Sequence, residues 1–338
     1  MKKLYALLPL LAALLVPGKA SAQMMPDSTV QVVAYWEVGD QMEYIYTEHK
    51  YEIDADGNEK LASSSSSNIL FEVAAATDST YTLLVQYDNL FDSEQLGLPD
   101  FPDNPAIPFR IRTSEFGTFQ ELENLDEIAG SIEKAIPGIA KAAWEALGPE
   151  DRKNLSRKEL EKIMLGFLNK DVILRCCIEE LAPLFFYHGA RLDTTEVYSF
   201  ENTVQGALGE FSVTVPCTFR VDPELTDDYS AVLHMEMIGN DELVKTMMRD
   251  YLVSWATATA DAKQQDTDAI EQIIDKAFQS ENMTSSYREY TDEEIHLETG
   301  WPIHWMFERI AYFSTEETSA GVHIVREISI APDETEEE

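Results

Sequence analysis

Hydrophobic and polar positions along the chain switch several times between a period of two and a period of three to four, and the switches divide it into blocks. In the first block Met42, Tyr44 and Tyr46 alternate with Gln41, Glu43 and Thr47; the apolar parity then shifts to Tyr51 and Ile53, as a bulge near His49 would cause. Asp54-Ala55-Asp56-Gly57-Asn58 has the composition of a hairpin turn. Beyond it, Ile69, Phe71 and Val73 share one face, Tyr81, Leu83, Val85 and Tyr87 share another, and Phe109 and Ile111 alternate with Arg110 and Arg112. Such rows predict strands of a sheet wet on one side only. The Pro-rich stretch 98–108 predicts a long irregular connection.

The second block is helical. Leu125, Ile128, Ile132, Ile136, Ile139, Ala143 and Leu147 recur three or four apart, with Asn124 placed as N-cap and Asp126 and Glu127 in the first turn. Pro137 lacks the amide a helix needs and predicts a kink or split; Gly148-Pro149 predicts a stop. Ser156-x-x-Glu159 is a capping box opening a helix through Leu160, Ile163, Met164 and Phe167, and a short helix is expected over about 171–181.

Strands return with the clearest alternation of the chain. Phe211, Val213, Val215, Cys217, Phe219 and Val221 point one way and Ser212, Thr214, Pro216, Thr218 and Arg220 the other, with Pro216 arguing for an edge position or a bulge. Ala231, Leu233, Met235 and Met237 form a further apolar row. Asn240-Asp241-Glu242 caps a helix carrying Val244, Met247, Met248, Tyr251 and Trp255, and a second helix follows through Ile270, Ile273, Ile274, Ala277 and Phe278. The last strands run through Ile295 and Leu297, through Ile303 to Phe313, and through Val322, Ile324, Ile328 and Ile330.

Hairpins inside β blocks, rather than single strands alternating with helices, exclude a doubly wound parallel sheet. They predict an α+β fold, a large curved antiparallel β-sheet, half-barrel-like, wrapped around two helical insertions that cover its apolar face. One domain over 23–332 is expected; two smaller domains divided near Gly189 are the alternative, because the helical block could act as a boundary.

Composition adds a compartment. Met1-Lys2-Lys3, an apolar run from Leu4 to Val16, and Ala20-Ser21-Ala22 make the three-part pattern of a cleavable signal peptide over 1–22, so a periplasmic or secreted product is expected. That run is too short to span a bilayer, which needs about 20 apolar residues, and no later stretch approaches that length, so a membrane-spanning chain is not expected. No Cys stands near the cleavage point to accept a lipid anchor. Without the signal and its three lysines, 22 basic residues face 62 acidic ones, a balance of −40. That field repels phosphate backbones, so no nucleic-acid partner is expected. Residues 333–338 read as a solvated acidic tail.

Four short elements carry a resemblance: Trp36-x-x-Gly39-Asp40-x-x-x-Tyr44, Thr113-Ser114-x-x-Gly117-Thr118-Phe119, Glu123-Asn124-x-x-Glu127-Ile128 and Glu298-Thr299-Gly300-Trp301-Pro302. With the order of elements, the chain resembles uncharacterised secreted families of Gram-negative envelopes that are similar to the periplasmic lipoprotein-carrier fold. In that fold a curved antiparallel sheet wraps around helices and can hold acyl chains. The resemblance implies a scaffold, and its motifs are non-catalytic.

Candidate chemistry is sparse. In an exporting compartment disulfides persist, and Cys177 and Cys217 both fall on inward parities, so a Cys177 to Cys217 bridge is weighed against unpaired core cysteines. Adjacent Cys176 and Cys177 give no zinc spacing. His234, His296 and His323 fall on polar parities and are read as solvent-facing. Asp54-x-Asp56-x-Asn58 starts like a calcium loop, but Ser65 stands at position twelve and the hairpin suffices. Asp27-Ser28-Thr29, Asp78-Ser79-Thr80 and Asp193-Thr194-Thr195 match a short O-glycosylation acceptor pattern and equally match ordinary turns.

No nucleophile elbow, phosphate loop or Rossmann glycine pattern occurs, and no catalytic residue, cofactor or metal is expected. The aromatic run Trp301-Pro302-Ile303-His304-Trp305 could line the mouth of a cavity or simply pack. Trp301, His304 and Trp305, with Trp36, are the candidate ligand-binding residues. Two functions stand ahead: a non-enzymatic carrier or binding protein for an apolar or lipid-like ligand, and an envelope module working through a protein partner. A hydrolase stands third.

Overall fold

A computed structural model of the chain describes residues 28–54, 56–88, 107–149, 151–205, 212–247, 249–250, 252–253, 272, 274–276, 278, 284–314 and 319–332. The expected signal segment 1–22, most of the Pro-rich connection, most of the second helix expected through Phe278 and the expected tail 333–338 lie outside the described residues.

Two strand-rich blocks build one open, curved, eleven-stranded antiparallel sheet. After β1 (Thr29–Gln31), the strands β2 (Gln41–Ile53), β3 (Glu59–Ala76), β4 (Thr80–Tyr87), β5 (Phe109–Ser114) and β6 (Phe119–Leu122) step outward as a meander to one edge. Helices α1 (Leu125–Ala146), α2 (Asp151–Asn154), α3 (Arg157–Phe167) and α4 (Lys170–Leu181), a 3-10 turn at Pro183–Phe185 and β7 (Arg191–Asp193) then carry the chain to the far edge. There β8 (Tyr198–Gln205) starts a second meander inward through β9 (Ser212–Val221), β10 (Ser230–Gly239), β11 (Thr284–His296), β12 (Pro302–Ser314) and β13 (Ser319–Ile330). β13 pairs antiparallel with β2, so the first and last long strands join the two meanders into one sheet across Gly189. β1 and β7 form a separate two-stranded ribbon.

Local rules account for most elements. The β2 register shifts between Lys50 and Tyr51, one residue from His49, and the Asp54 side chain accepts the Asp56 and Asn58 amides to close the hairpin while Gly57 takes φ +80°. The capping box forms: Glu159 N–H donates to Ser156 Oγ at 3.2 Å, and Ser156 N–H donates to Glu159 Oε2 at 2.7 Å. The Asn240 side chain accepts Leu243 N–H and opens a helix over 241–247.

Three expectations are corrected. Helix α1 is not split, since it runs unbroken through Pro137, held by the packing of Ile128, Ile136, Ile139 and Ala140. Asn124 does not cap it with its side chain; its amide instead accepts Arg110 N–H and donates to Pro108 O, tying the helix start to β5. Pro216 is not in an edge strand, since β9 is second from the edge; it stands at a local edge instead, paired with Glu201 of β8 while the ladder with β10 ends at Cys217, one residue short of the proline that could not continue it.

Three apolar clusters line the covered face. The first joins Tyr44, Ile69, Phe71, Val73, Leu83, Val85 and Ile111 of β2–β5 to Ile128, Ile173, Leu181 and Phe185 of the helical segment. The second joins Val30, Val32, Tyr187 and Leu192 to Leu233, Ile295 and Leu297, and the third joins Val215, Cys217, Met237 and Tyr287 to Leu243 and Val244.

Candidate functional site

The glycine-marked motifs of the sequence converge at one end of the sheet. Residues 32–36 thread between the 114–118 and 296–301 turns: Ala34 N–H donates to Phe116 O at 2.9 Å and Tyr35 N–H to Thr299 O at 3.1 Å. A Cβ on Gly300, at φ +75°, would lie 2.4 Å from Val33 O, and one on Gly117, at φ +95°, 2.5 Å from the His188 ring. Both positions therefore require glycine, for backbone conformation and for space. Trp36 stacks on Trp301 with centroids 4.6 Å apart and meets Phe185 and His188 edge-on or tilted. His188 is buried, its Nε2 donating to Gly300 O at 2.7 Å, and burial pushes its pKa down to about 4, so it is neutral at pH 7. Thr118 Oγ1 donates to His188 O at 2.7 Å. This knot fixes the helical crossover against turns of both meanders.

From the knot, the inner face of the central strands turns polar. Tyr287, Glu289, Thr291, Glu293 and Ile295 project inward from β11, all buried. Their register partners on β12 include Arg309 opposite Glu289, Phe307 opposite Thr291 and Trp305 opposite Glu293. At the end away from the knot the polar groups are paired. Glu289 takes Arg309 at 2.5 Å and the Tyr287 hydroxyl; Arg326 binds Glu48 at 2.8 Å and Glu180 of α4 at 3.1 Å. Burial pushes the Glu180 and Glu179 carboxyls up, whereas for Glu48 burial is outweighed by hydrogen bonds from Lys50 and Arg326 that hold it down. Both guanidiniums lie over Phe307, at 5.1 and 5.8 Å from its centroid, and Phe307 stacks on Trp305 at 5.9 Å.

Deeper, pairing stops. Glu293 is 1% exposed, between Leu233 of the second cluster and Trp305 of the first, and neither carboxyl oxygen has a hydrogen-bond partner among the described residues. Trp305 Nε1 and the Tyr187 hydroxyl are likewise buried without partners among them. Burial holds the Glu293 carboxyl well above the usual carboxylate range, and burial, with a smaller contribution from Glu293, raises the Tyr44 and Tyr187 hydroxyls. The arrangement offers hydrogen bonding inside an apolar wall, with exposure falling from 29% at Arg309 to 3% at Trp305.

The candidate residues separate. Trp36, Trp301 and Trp305 belong to the first apolar cluster. His304 projects from the opposite face and pairs with Glu327 at 3.0 Å. Cys177 and Cys217 are not bridged, because they sit in different clusters, and burial, then Glu289, pushes the Cys217 thiol up to about 11. His234 and His323 do lie on the outer face, but they are largely covered rather than solvent-facing: His234 bridges Asp222, at 3.2 Å, and Asp292, and His323 bridges Glu59 and Glu308 at 3.1 and 2.9 Å. Glu289, Glu293, Arg309 and Arg326 were missed. The signal was present, since stepping back by two from Ile295 reaches Glu293 and Glu289, and stepping back by two from Ile328 reaches Arg326. No group of three or more His, Cys, Asp or Glu that could hold a metal occurs among the described residues.

No protein-family model matches the sequence, and no curated protein does. Among solved structures, the chain is similar to lipovitellin, in a structure concerned with lipid–protein interactions, at TM-score 0.37 and 11% identity, covering 88% of this chain. The chain spans a quarter of that protein's length. It also aligns with a hot dog fold protein of unknown function from Alicyclobacillus acidocaldarius, at TM-score 0.12 and 7% identity over 88% of this chain and 81% of the other. At these TM-scores neither likeness carries weight for fold or function.

Proposed function

We propose that the protein is a non-enzymatic binding or carrier protein for an apolar or lipid-like ligand, exported to the periplasm or beyond through the signal segment 1–22. The observation that carries this reading is the inner face of β10–β12: a self-filled core would be continuous and satisfied, whereas here Glu293, its register partner Trp305 of the first cluster and Tyr187 of the second are buried with polar atoms that have no hydrogen-bond partner among the described residues. Met235 and Met237 on one side and the Trp305–Phe307 ladder on the other supply adaptable and broad apolar contact. Native mass spectrometry of the chain purified from its own envelope tests the reading. A bound apolar molecule on a chain cleaved after Ala22 is the expected result, and a chain that flies empty counts against it.

A second reading, docking to an envelope protein, is favoured by one feature. Val38, Phe116, Val197 and Tyr229 are exposed at turns that strand order places at the same end of the sheet. Glu37, Glu115, Glu196 and Asp228 flank them, a pattern that suits a basic partner surface rather than anionic lipid. Phe116→Asp with Tyr229→Asp would abolish such docking while leaving ligand in place.

A further inference from the structure

We propose that the Glu293 carboxyl and the Trp305 indole form a buried seat for the uncharged carbonyl end of an acyl ester, a site that rests on the carrier reading and gives its ligand a polar end. The two residues are register partners on neighbouring strands and project from the same face. They are 1% and 3% exposed, and neither Glu293 oxygen nor Trp305 Nε1 has a hydrogen-bond partner among the described residues. Leaving one buried polar group unsatisfied costs about 1–3 kcal/mol, so two such groups side by side, with the Tyr187 hydroxyl a third, point to a polar occupant.

The chemistry of the wall selects that occupant. Apolar surroundings favour the protonated form of Glu293, so the acid O–H, the indole N–H and the Tyr187 O–H are all donors in search of an acceptor. A carbonyl oxygen accepts two of them. A free carboxylate would itself need desolvation and would face the Glu293 oxygens, and an amine would find an acid that resists ionisation. Leu233, Ile295 and Ile328, all buried and flanking the pair in the sheet, suit the apolar chain that such an ester carries. From Trp305 the aromatic ladder leads through Phe307 to Arg309, whose side chain is 29% exposed, a route of rising exposure along which a chain could enter.

Two probes of similar chain length separate the seat from simple greasiness: 1-monooleoylglycerol, which has the ester, and 1-octadecene, which lacks it. Binding of each, delivered from micelles and read by native mass spectrometry, is compared for the mature chain, Glu293→Leu and Trp305→Phe. The mature chain is expected to prefer the ester probe by at least tenfold, and both variants to keep the alkene and lose that preference. Trp305→Phe keeps an aromatic side chain while removing the indole N–H, so it decides the matter if Glu293→Leu fails to fold. An undiminished preference in a folded variant overturns the seat and leaves the carrier standing, the polar groups then being served by buried water. Failure of the mature chain to bind either probe overturns both.

Discussion

The meanders β2–β6 and β8–β13 are written in the same alternating code, yet they bury their inner faces differently. In the first, every fully buried strand position except Thr113 is apolar, and α1, α4 and the 3-10 turn close over them as a single cluster around Phe71 and Phe185. In the second, the apolar contact is divided, with Trp305 and Ile328 joining the first cluster and the rest falling into two others, and Glu289, Thr291 and Glu293 occupy the interior of β11. The first half thus buries a continuous apolar face, and the second buries hydrogen-bonding groups at a cost. The contrast predicts that large-to-small changes are punished in the first half while the removal of a polar group is rewarded in the second.

The largest effect is expected in the first half. Phe71 is 1% exposed and meets Tyr44, Phe185 and Trp301 edge to face, so Phe71→Ala should cost about 3–5 kcal/mol. Urea unfolding measures this, and a loss under about 1 kcal/mol would dissolve the contrast. Next comes the knot that holds the halves together. Because the folded pKa of His188, about 4, lies below the ordinary value of 6.5, the folded state resists its protonation. Stability is therefore full above pH 6.5 and falls by about 3 kcal/mol as pH drops towards 4. His188→Gln should flatten that segment of the stability curve.

A smaller change of opposite sign belongs to the second half. The folded state keeps the proton on Glu293 to a higher pH than the unfolded chain does, so stability falls as pH rises beyond the ordinary carboxylate range. Glu293→Leu should remove that fall and raise stability at pH 7 by about 1–3 kcal/mol, read by the same denaturant titration. A loss instead would mean that the carboxyl has a stabilising partner. The smallest effect is a control outside both halves: Ser156→Ala removes one arm of the α3 capping box and should cost about 1 kcal/mol, seen as faster amide exchange in α3. It should leave the pH response unchanged.

Alternation in the sequence determined the apolar rows of β2 to β5, β9 and β10, the β2 bulge and the α+β class, because a period of two against a wet face leaves one burial choice per strand, whereas β6, β8 and most of β11 carry too few apolar positions to show it. The Ser156–Glu159 cap and the Asp54 hairpin were equally legible, since each closes within five residues. Tertiary structure alone decided the rest. That β2 pairs with β13 is a contact between residues nearly 280 apart in places, as for Glu48 and Arg326, which no local pattern encodes. Tertiary packing likewise turned the Asn124 side chain to Arg110 and Pro108, kept α1 unbroken through Pro137 and parted Cys177 from Cys217. It also buried Glu293 among apolar neighbours. Parity could place that carboxyl inward, but only the packing of β10 and β12 against β11 buried it without a hydrogen-bond partner among the described residues.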